Sequence, residues 1–418
     1  MPTARASPLK IIGDSDFVRR QNRGLVLGAL RNDGPAARTA IAESTGLSPA
    51  SLTAITQDML AQNLIVDLPP SPDARVRGRP PIRVGFNRQA AYACLVELEV
   101  GRVRYSLVDY GTTLVDRIET ALDPKLFLGR DPVAYLRDGI ALLAQRNPAE
   151  ARGLRRIAIS VQGVLGRGRT GLSWSPVAGL AERDLAGPLA AAFGVPVLLC
   201  KRGRLLAEGT RWLDPSLRER SVATIFIGST VAMGMTVRGQ VFGRGEEGAT
   251  EFGHMNHAPN GALCRCGMHG CIEAYAADYG VLRSAYSVPE STPPAPVVPA
   301  ADYAQLIQRA NRGERAPTQA FRLAGRAIGY GLSRLLAVFD PDCVVIAGPG
   351  AHAFHLMQEE FAAALDASLV ARVNGRPELR TLADESEPIF NGLLLHTLSD
   401  IDQRDFAPLP AIAVARPA

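Results

Sequence analysis

Cysteine is scarce in this chain, six residues in 418, which is too few for a disulfide framework. No apolar run reaches membrane length, and no apolar h-region opens the sequence, so neither a membrane span nor a secretory leader is expected. The reducing cytoplasm is the expected compartment, where clustered thiols bind metal more often than they pair. Net charge is also modest, +5, and unevenly placed. Residues 1–90 hold 12 Lys and Arg against 7 Asp and Glu, so the remaining 328 residues carry 34 of each and balance to zero. An excess of positive charge confined to the N-terminal segment suits a part that meets a polyanion. The length allows two or three domains, and a 47% hydrophobic composition allows a large core.

The scarce cysteines are not scattered. The run EFGHMNHAPNGALCRCGMHGCIEAYA, residues 251–276, contains three of the six cysteines and three of the six histidines. Cys264, Cys266 and Cys271 fall within eight residues, and Gly267 and Gly270 let the backbone turn tightly enough for the thiolates to converge on one zinc ion. A closed tetrahedral site needs a fourth ligand, for which His254, His257 and His269 are candidates. Three Cys and one His would fill the sphere and leave no position for an activated water, so one structural zinc per chain is expected.

Residues 38–60, RTAIAESTGLSPASLTAITQDML, read as helix, tight turn, helix. Gly46 supplies the turn, Ser48 is placed to cap the second helix, and Pro49 suits its first turn. Leu52, Ile55 and Met59 recur at helical spacing and face a core, which leaves Ala50, Ser51, Thr53, Ala54 and Gln57 outward. Short side chains with polar tips are what a recognition helix in the DNA major groove requires. The runs NLIVDL (63–68) and PIRVGF (81–86) then bracket PPSPDARVRGRPP as two strands bracket a wing. Arg75, Arg77 and Arg79 alternate there, with Gly78 and Pro80 beside the last, and a narrow minor groove attracts inserted arginine. Residues 1–88 are therefore expected to form a winged helix-turn-helix domain that binds double-stranded DNA through Ser48, Ala50, Ser51, Thr53, Gln57, Arg75, Arg77, Gly78 and Arg79. Winged-helix proteins that read palindromic operators usually pair, so a homodimer is expected.

From residue 89 the pattern is α/β. Strand-like runs at 94–100, 102–110, 156–163, 196–200, 222–230, 231–239 and 343–350 alternate with helical stretches such as 316–338, which suggests two lobes with a cleft between them. Hairpin openings near 94 and near 222 hint at duplicated halves. The Pro-rich run SVPESTPPAPVVPA (287–300) reads as an extended surface excursion.

Four features together resemble the ROK family of repressors, open reading frames and kinases: Glu251-Phe252-Gly253-His254, the CxCGxxGCxE run from Cys264 to Glu273, Gly78-Arg79-Pro80, and the late Gly329-Tyr330-Gly331, Pro341-Asp342 and Val345-Ile346-Ala347-Gly348. The resemblance spans nearly the whole chain, and the N-terminal winged helix marks the repressor branch. It implies an actin-like ATPase (ribonuclease H-like) fold for residues 89–418, with zinc in loop 254–273 held by His254, Cys264, Cys266 and Cys271. It also implies a sugar held between the lobes by Glu251, His254 and Glu273.

The chain departs from the family's kinases where their chemistry lies. Their Asn-Asp pair, whose Asp is the general base, becomes Lys201-Arg202 in an ungapped alignment, and neither cation can take a proton from a sugar hydroxyl. The first phosphate loop reads ELEVGRV (97–103), where Glu99 and Val100 block close backbone approach; the second survives as Gly228-Ser229-Thr230. An Asn that contacts sugar becomes Pro176, with Ser175 beside it as a possible replacement. These substitutions predict a regulator without kinase activity, and they make a phosphorylated or acidic sugar a candidate effector at Lys201 and Arg202.

Overall fold

The computed structural model describes residues 15–70, 82–123, 129–243, 250–382 and 387–407. They divide into two compact units. The first holds the described residues up to Ala91, together with Asp109–Thr113 and the C-terminal residues from Leu398; the second holds Tyr92–Val108 and Leu114–Thr397.

The first unit contains helix α1 (Ser15–Asp33), strand β1 (Ala36–Ala37), helices α2 (Arg38–Thr45) and α3 (Pro49–Ala61), and strands β2 (Ile65–Leu68) and β3 (Arg83–Phe86). The turn between α2 and α3 follows from its residues. Gly46 sits at φ 70°, where its N–H donates to Ala42 O, and the Ser48 hydroxyl accepts from Ser51 N at the start of α3. Leu52, Ile55 and Met59 pack with Val26, Leu27 and Leu30 of α1, Ile41 of α2, and Ile65 and Val84 of the sheet. The sheet has the order β1-β3-β2 with antiparallel neighbours, Ile65 opposite Phe86 and Leu68 opposite Arg83. The sequence reading placed no element over α1, whose apolar face is diluted by arginines and by Gly24 and Gly28.

That reading also drew one boundary at residue 88, whereas two later segments return to this unit. Arg31 is the reason. Its Nε and Nη2 donate to the Asp402 carboxylate at 3.0–3.3 Å, and its Nη1 donates to Tyr110 O at 2.6 Å. The Tyr110 hydroxyl donates to Asp402 at 2.5 Å, and the rings of Phe86 and Tyr110 lie 3.9 and 4.7 Å from the guanidinium carbon. A buried charge set with each partner satisfied holds all three segments together.

The second unit has two lobes. In lobe I, strands β4 (Tyr92–Glu99), β5 (Arg102–Asp109) and β6 (Leu114–Ala121) run consecutively, then helix α4 (Pro132–Arg146) leads to β7 (Leu154–Val161), and β8 (Val197–Lys201) runs into helix α5 (Arg202–Leu213). Lobe II repeats this with β9 (Val222–Ile227), β10 (Val231–Val237) and β11 (Gln240–Val241). It continues through helices α6 (Asp278–Ala285), α7 (Ala300–Asn311) and α8 (Arg315–Leu335), then β12 (Cys343–Ala347), α9 (Phe354–Leu365), β13 (Glu378–Thr381) and α10 (Glu387–Ile401). The sheet orders are β8-β7-β4-β5-β6 and β11-β10-β9-β12-β13, the same arrangement of first to fifth strands in each. The central pairings are parallel, β4 with β7 and β9 with β12, so the strand ends of both sheets open toward a shared cleft. In lobe II, α8 presses against α9 so closely that a Cβ at Gly325 would collide with Met357 O, which is why glycine stands there. Residues 287–299 hold no helix or strand, and their carbonyls receive bonds from the zinc-loop side: Leu263 N donates to Glu290 O and Arg265 to Ala295 O.

Candidate functional site

The loop 254–273 is folded by backbone bonds before any metal is considered. Cys264 N donates to Met268 O, Gly270 N to Ala262 O, and His257 N and Ala258 N both to Gly270 O. Gly267 and Gly270 take φ 86° and 79°, and a Cβ at Gly270 would strike Ala258 O. This path brings His254, Cys264, Cys266 and Cys271 together with all four ligand atoms within 4.8 Å of one another. His254 Nδ1 lies 3.7 Å from Cys264 Sγ, and Cys266 Sγ lies 3.7 Å from Cys271 Sγ. Ligands about 2.3 Å from a tetrahedral ion are separated by about 3.8 Å, so the donor set can hold such an ion. The other two histidines stand elsewhere. His257 packs edge-on to Tyr275, and His269 Nδ1 is bonded to Gly261 O at 2.9 Å.

The same loop delivers residues to the cleft. His254 ends the short turn that begins after Glu251, and its ring meets Trp174 edge-on at 5.3 Å. Glu273 begins the helical turn after Cys271 and is 1% exposed. Its carboxylate accepts from Val231 N at 3.2 Å and from the Tyr279 hydroxyl at 3.3 Å, and burial pushes its carboxyl above the ordinary range. Across the cleft, β8 ends at Lys201 and α5 starts at Arg202, so both side chains enter where strand gives way to helix. Lys201 Nζ pairs with Glu251 at 2.5 Å, and Arg202 pairs with Glu99 at 3.1 Å while lying 4.0 Å over the Phe226 ring. The cleft they line with Glu251, His254 and Glu273 encloses about 470 Å³, its open mouth included.

Ser175 departs from the sequence expectation. Its hydroxyl donates to Gln162 O at 2.8 Å and accepts from Val177 N at 3.1 Å, so it is spent within its own loop, and Trp174 and Pro176 line the cleft instead. Gln162 and Thr230 also line it. The Gln162 amide reaches both halves, accepting from Val100 N and contacting the Thr230 hydroxyl at 3.5 Å. Sequence reasoning names Thr230 only as part of Gly228-Ser229-Thr230, and it gives Trp174 and Gln162 no role. The one available signal was Trp174, one of only two tryptophans, which ends the short strand Gly171–Trp174.

As chemistry, the cleft offers hydrogen-bonding groups and charges but few free bases. Glu251 is held by a lysine, Glu273 is buried and bonded, and a guanidinium stays protonated. A charge network runs along β4 and β5: Arg104 pairs with Glu97 at 3.2 Å and with Glu119 of β6 at 2.9 Å, and Arg102 pairs with Glu99 at 2.8 Å.

In the first unit, Ser48, Ala50, Ser51, Thr53 and Gln57 are all exposed on one side of α3. The Thr53 hydroxyl donates back to Pro49 O and the Ser48 and Ser51 hydroxyls bond each other, so Gln57 carries the most adaptable polar tip of the five. Arg75, Arg77, Gly78 and Arg79 lie outside the described residues. Among the described residues no helix is long and apolar enough to cross a membrane.

Comparison with known proteins gives this geometry a context. The chain is 24% identical to the xylose repressor of Bacillus spizizenii over 337 residues, 80% of this chain and 84% of that one. The solved structure of a ROK family transcriptional regulator, a homologue of the Escherichia coli Mlc protein, covers 92% of this chain and 97% of its own at 20% identity and a TM-score of 0.72. A ROK glucokinase from Streptomyces griseus, solved with glucose and AMPPNP, covers 74% of this chain and 99% of its own at 20% identity and a TM-score of 0.55. Both share its fold. Residues 114–387 match the ROK family profile, and the chain belongs to the ROK family.

Proposed function

We propose that the protein is a sugar-responsive, DNA-binding transcriptional repressor of carbohydrate genes, acting as a homodimer in the cytoplasm, and that it does not phosphorylate its ligand. The observation that carries this reading is the N-terminal unit. Helix α3 is capped by Ser48, buried on its Leu52, Ile55 and Met59 side, and outwardly small and polar, the form of a recognition helix with β2 and β3 as the stem of a wing. Relatives named as repressors, among them the xylose repressor, match over four-fifths of the chain, and the solved regulator accounts for more of it than the solved kinase does. Major-groove contact falls to Ala50, Ser51, Thr53 and Gln57, with Ser48 at the helix start. Minor-groove contact falls to Arg75, Arg77 and Arg79, with Gly78 beside the last of them in sequence.

Glu251, His254 and Glu273 hold the sugar, and one structural zinc at His254, Cys264, Cys266 and Cys271 fixes the loop that presents them. The zinc supplies cross-linking only, since four protein ligands complete its sphere. Absence of phosphoryl transfer follows from Lys201 and Arg202, neither of which can act as the base that the reaction needs. The turn between β5 and β6 and the chain after α10 both belong to the first unit, so a shift of either element has a covalent route to the DNA-binding part. Selection of bound fragments from genomic DNA, followed by titration with and without a neutral and acidic sugar panel, tests the reading. It requires a specific site, lost on effector addition, and no ATP consumption; sugar-dependent ATP turnover would establish the kinase alternative.

A further inference from the structure

We infer that the effector is a sugar acid, and that its carboxylate takes Lys201 from Glu251 while filling the unused Nε–H of Arg202. The inference rests on the reading of the cleft as the effector site and adds the class of compound. Three observations meet at the β8–α5 junction. Arg202 is 5% exposed, and its Nε has no hydrogen-bond partner among the described residues although its Nη1 pairs with Glu99; a buried guanidinium N–H left unpaired is destabilising until an acceptor arrives. Helix α5 starts here with no side-chain cap, and Gly203 in its first turn lines the cleft, so the helix offers the electropositive end that anions prefer. Lys201 is held by a single carboxylate oxygen of Glu251, and the two partners differ in setting: the lysine side chain is 11% exposed and the glutamate 44%. Glu251 can therefore turn from Lys201 toward the sugar hydroxyls at little cost, while Lys201 stays in the cleft and requires an anion in its place.

The exchange is one carboxylate for another, and it sets the charge of the ligand. A sugar carboxylate takes the place of Glu251 at Lys201 and gains the Arg202 and helix α5 donors. A neutral sugar leaves the Lys201–Glu251 pair where it is and finds only uncharged bonds. A phosphate dianion brings one more negative charge than the exchange releases, beside Glu99 and Glu251.

Calorimetric titration of the full-length protein with D-glucuronate, D-galacturonate and D-gluconate, against D-glucose, D-galactose and D-glucose 6-phosphate, tests this. At least one acid is expected to bind about 10- to 100-fold more tightly than its neutral counterpart, the range that one charge-assisted bond set supplies. Lys201→Met should abolish the preference. Glu251→Gln, which frees Lys201 of its competing charge while keeping a hydrogen-bonding amide for the sugar hydroxyls, should raise acid affinity and decides the matter if the Lys201 variant does not fold. Neutral sugars binding as well as the acids, the phosphate binding best, no binding by any acid, or an unaltered preference in the Lys201→Met protein would each overturn the inference. Release of operator DNA by a neutral sugar would overturn it while leaving the repressor reading intact, and failure to find any operator would strike that reading alone.

Discussion

The two lobes repeat one strand order and bury opposite chemistry at corresponding places. In lobe I the first two strands carry Glu97, Glu99, Arg102 and Arg104, which together with Glu119 and Arg202 form a network of ion pairs. In lobe II the corresponding strands carry Ile225, Ile227, Met233 and Met235 within an apolar core, and their connecting turn is Gly228-Ser229-Thr230. Burial pushes the Glu97 carboxyl up, with Arg104 opposing it; burial also acts on Glu99, but Arg202 and Arg102 outweigh it and hold that carboxyl below its ordinary value. The same topology can thus be kept while the first two strands carry an ion network in one lobe and an apolar core in the other. A buried ion network tolerates single losses poorly, because each leaves a charge without its partner. Lobe II spreads its stability over apolar packing and adds a cluster of one histidine and three cysteines that could hold a metal ion.

The largest expected effect breaks the metal side of this contrast. Structural zinc contributes about 10–16 kcal/mol of binding free energy in small zinc domains, so Cys266→Ser should lose its metal, unfold loop 254–273 and misplace Glu273. Elemental analysis should fall from about one zinc per chain to none, and a variant that keeps both metal and melting temperature would end the zinc assignment. On the other side, Arg104→Ala should cost about 3–5 kcal/mol by stranding Glu97, whereas the paired change Glu97→Leu with Arg104→Met should be neutral or stabilising. Denaturant unfolding of the three proteins distinguishes a network from ordinary packing, since equal losses for the single and paired variants would mean that charge plays no part.

A third prediction concerns pH. His396 on α10 lies 3.5 Å from Glu208 of α5 and interacts with Cys200 of β8. Burial alone would lower its pKa, but the bonds to Cys200 and Glu208 prevail and raise it to about 10. The folded state therefore holds a proton that the unfolded chain releases near 6.5. The stability this adds is complete below that pH and is lost as pH rises through about 10, a few kcal/mol in all. Melting temperature should fall between pH 6.5 and 10, with a shallower slope in His396→Gln; identical slopes would remove His396 from the account. The smallest effect concerns the proposed DNA contact of Arg79, where Arg79→Ala should weaken DNA binding across sequences and reduce the salt slope by about one.

What was legible in the sequence was local. Gly46, Ser48 and Pro49 announce the turn and cap of α3 because each acts within four residues, and Cys264, Cys266 and Cys271 cluster because their loop closes on itself. The pairing of Lys201 with Glu251 spans fifty residues and leaves no local trace. Ser175 neighbours Pro176 in sequence but not in role, because its hydroxyl is bonded to Gln162 O and Val177 N, a pairing that sequence adjacency does not reveal. The return of Tyr110 and Asp402 to Arg31 is tertiary, set by one buried guanidinium and readable only once the three segments are seen together.

The measurement that bears most directly on the central claim is a footprint of the full-length protein on genomic fragments it has selected, made with the parent and with Gln57→Ala. The account predicts protection of a palindromic site at physiological salt, relieved by effector, with base preference altered by the Gln57 substitution by about 1–3 kcal/mol at one position of each half-site. Protection without sequence preference, or a preference that Gln57→Ala leaves unchanged, would contradict the assignment of α3 as the helix that reads DNA.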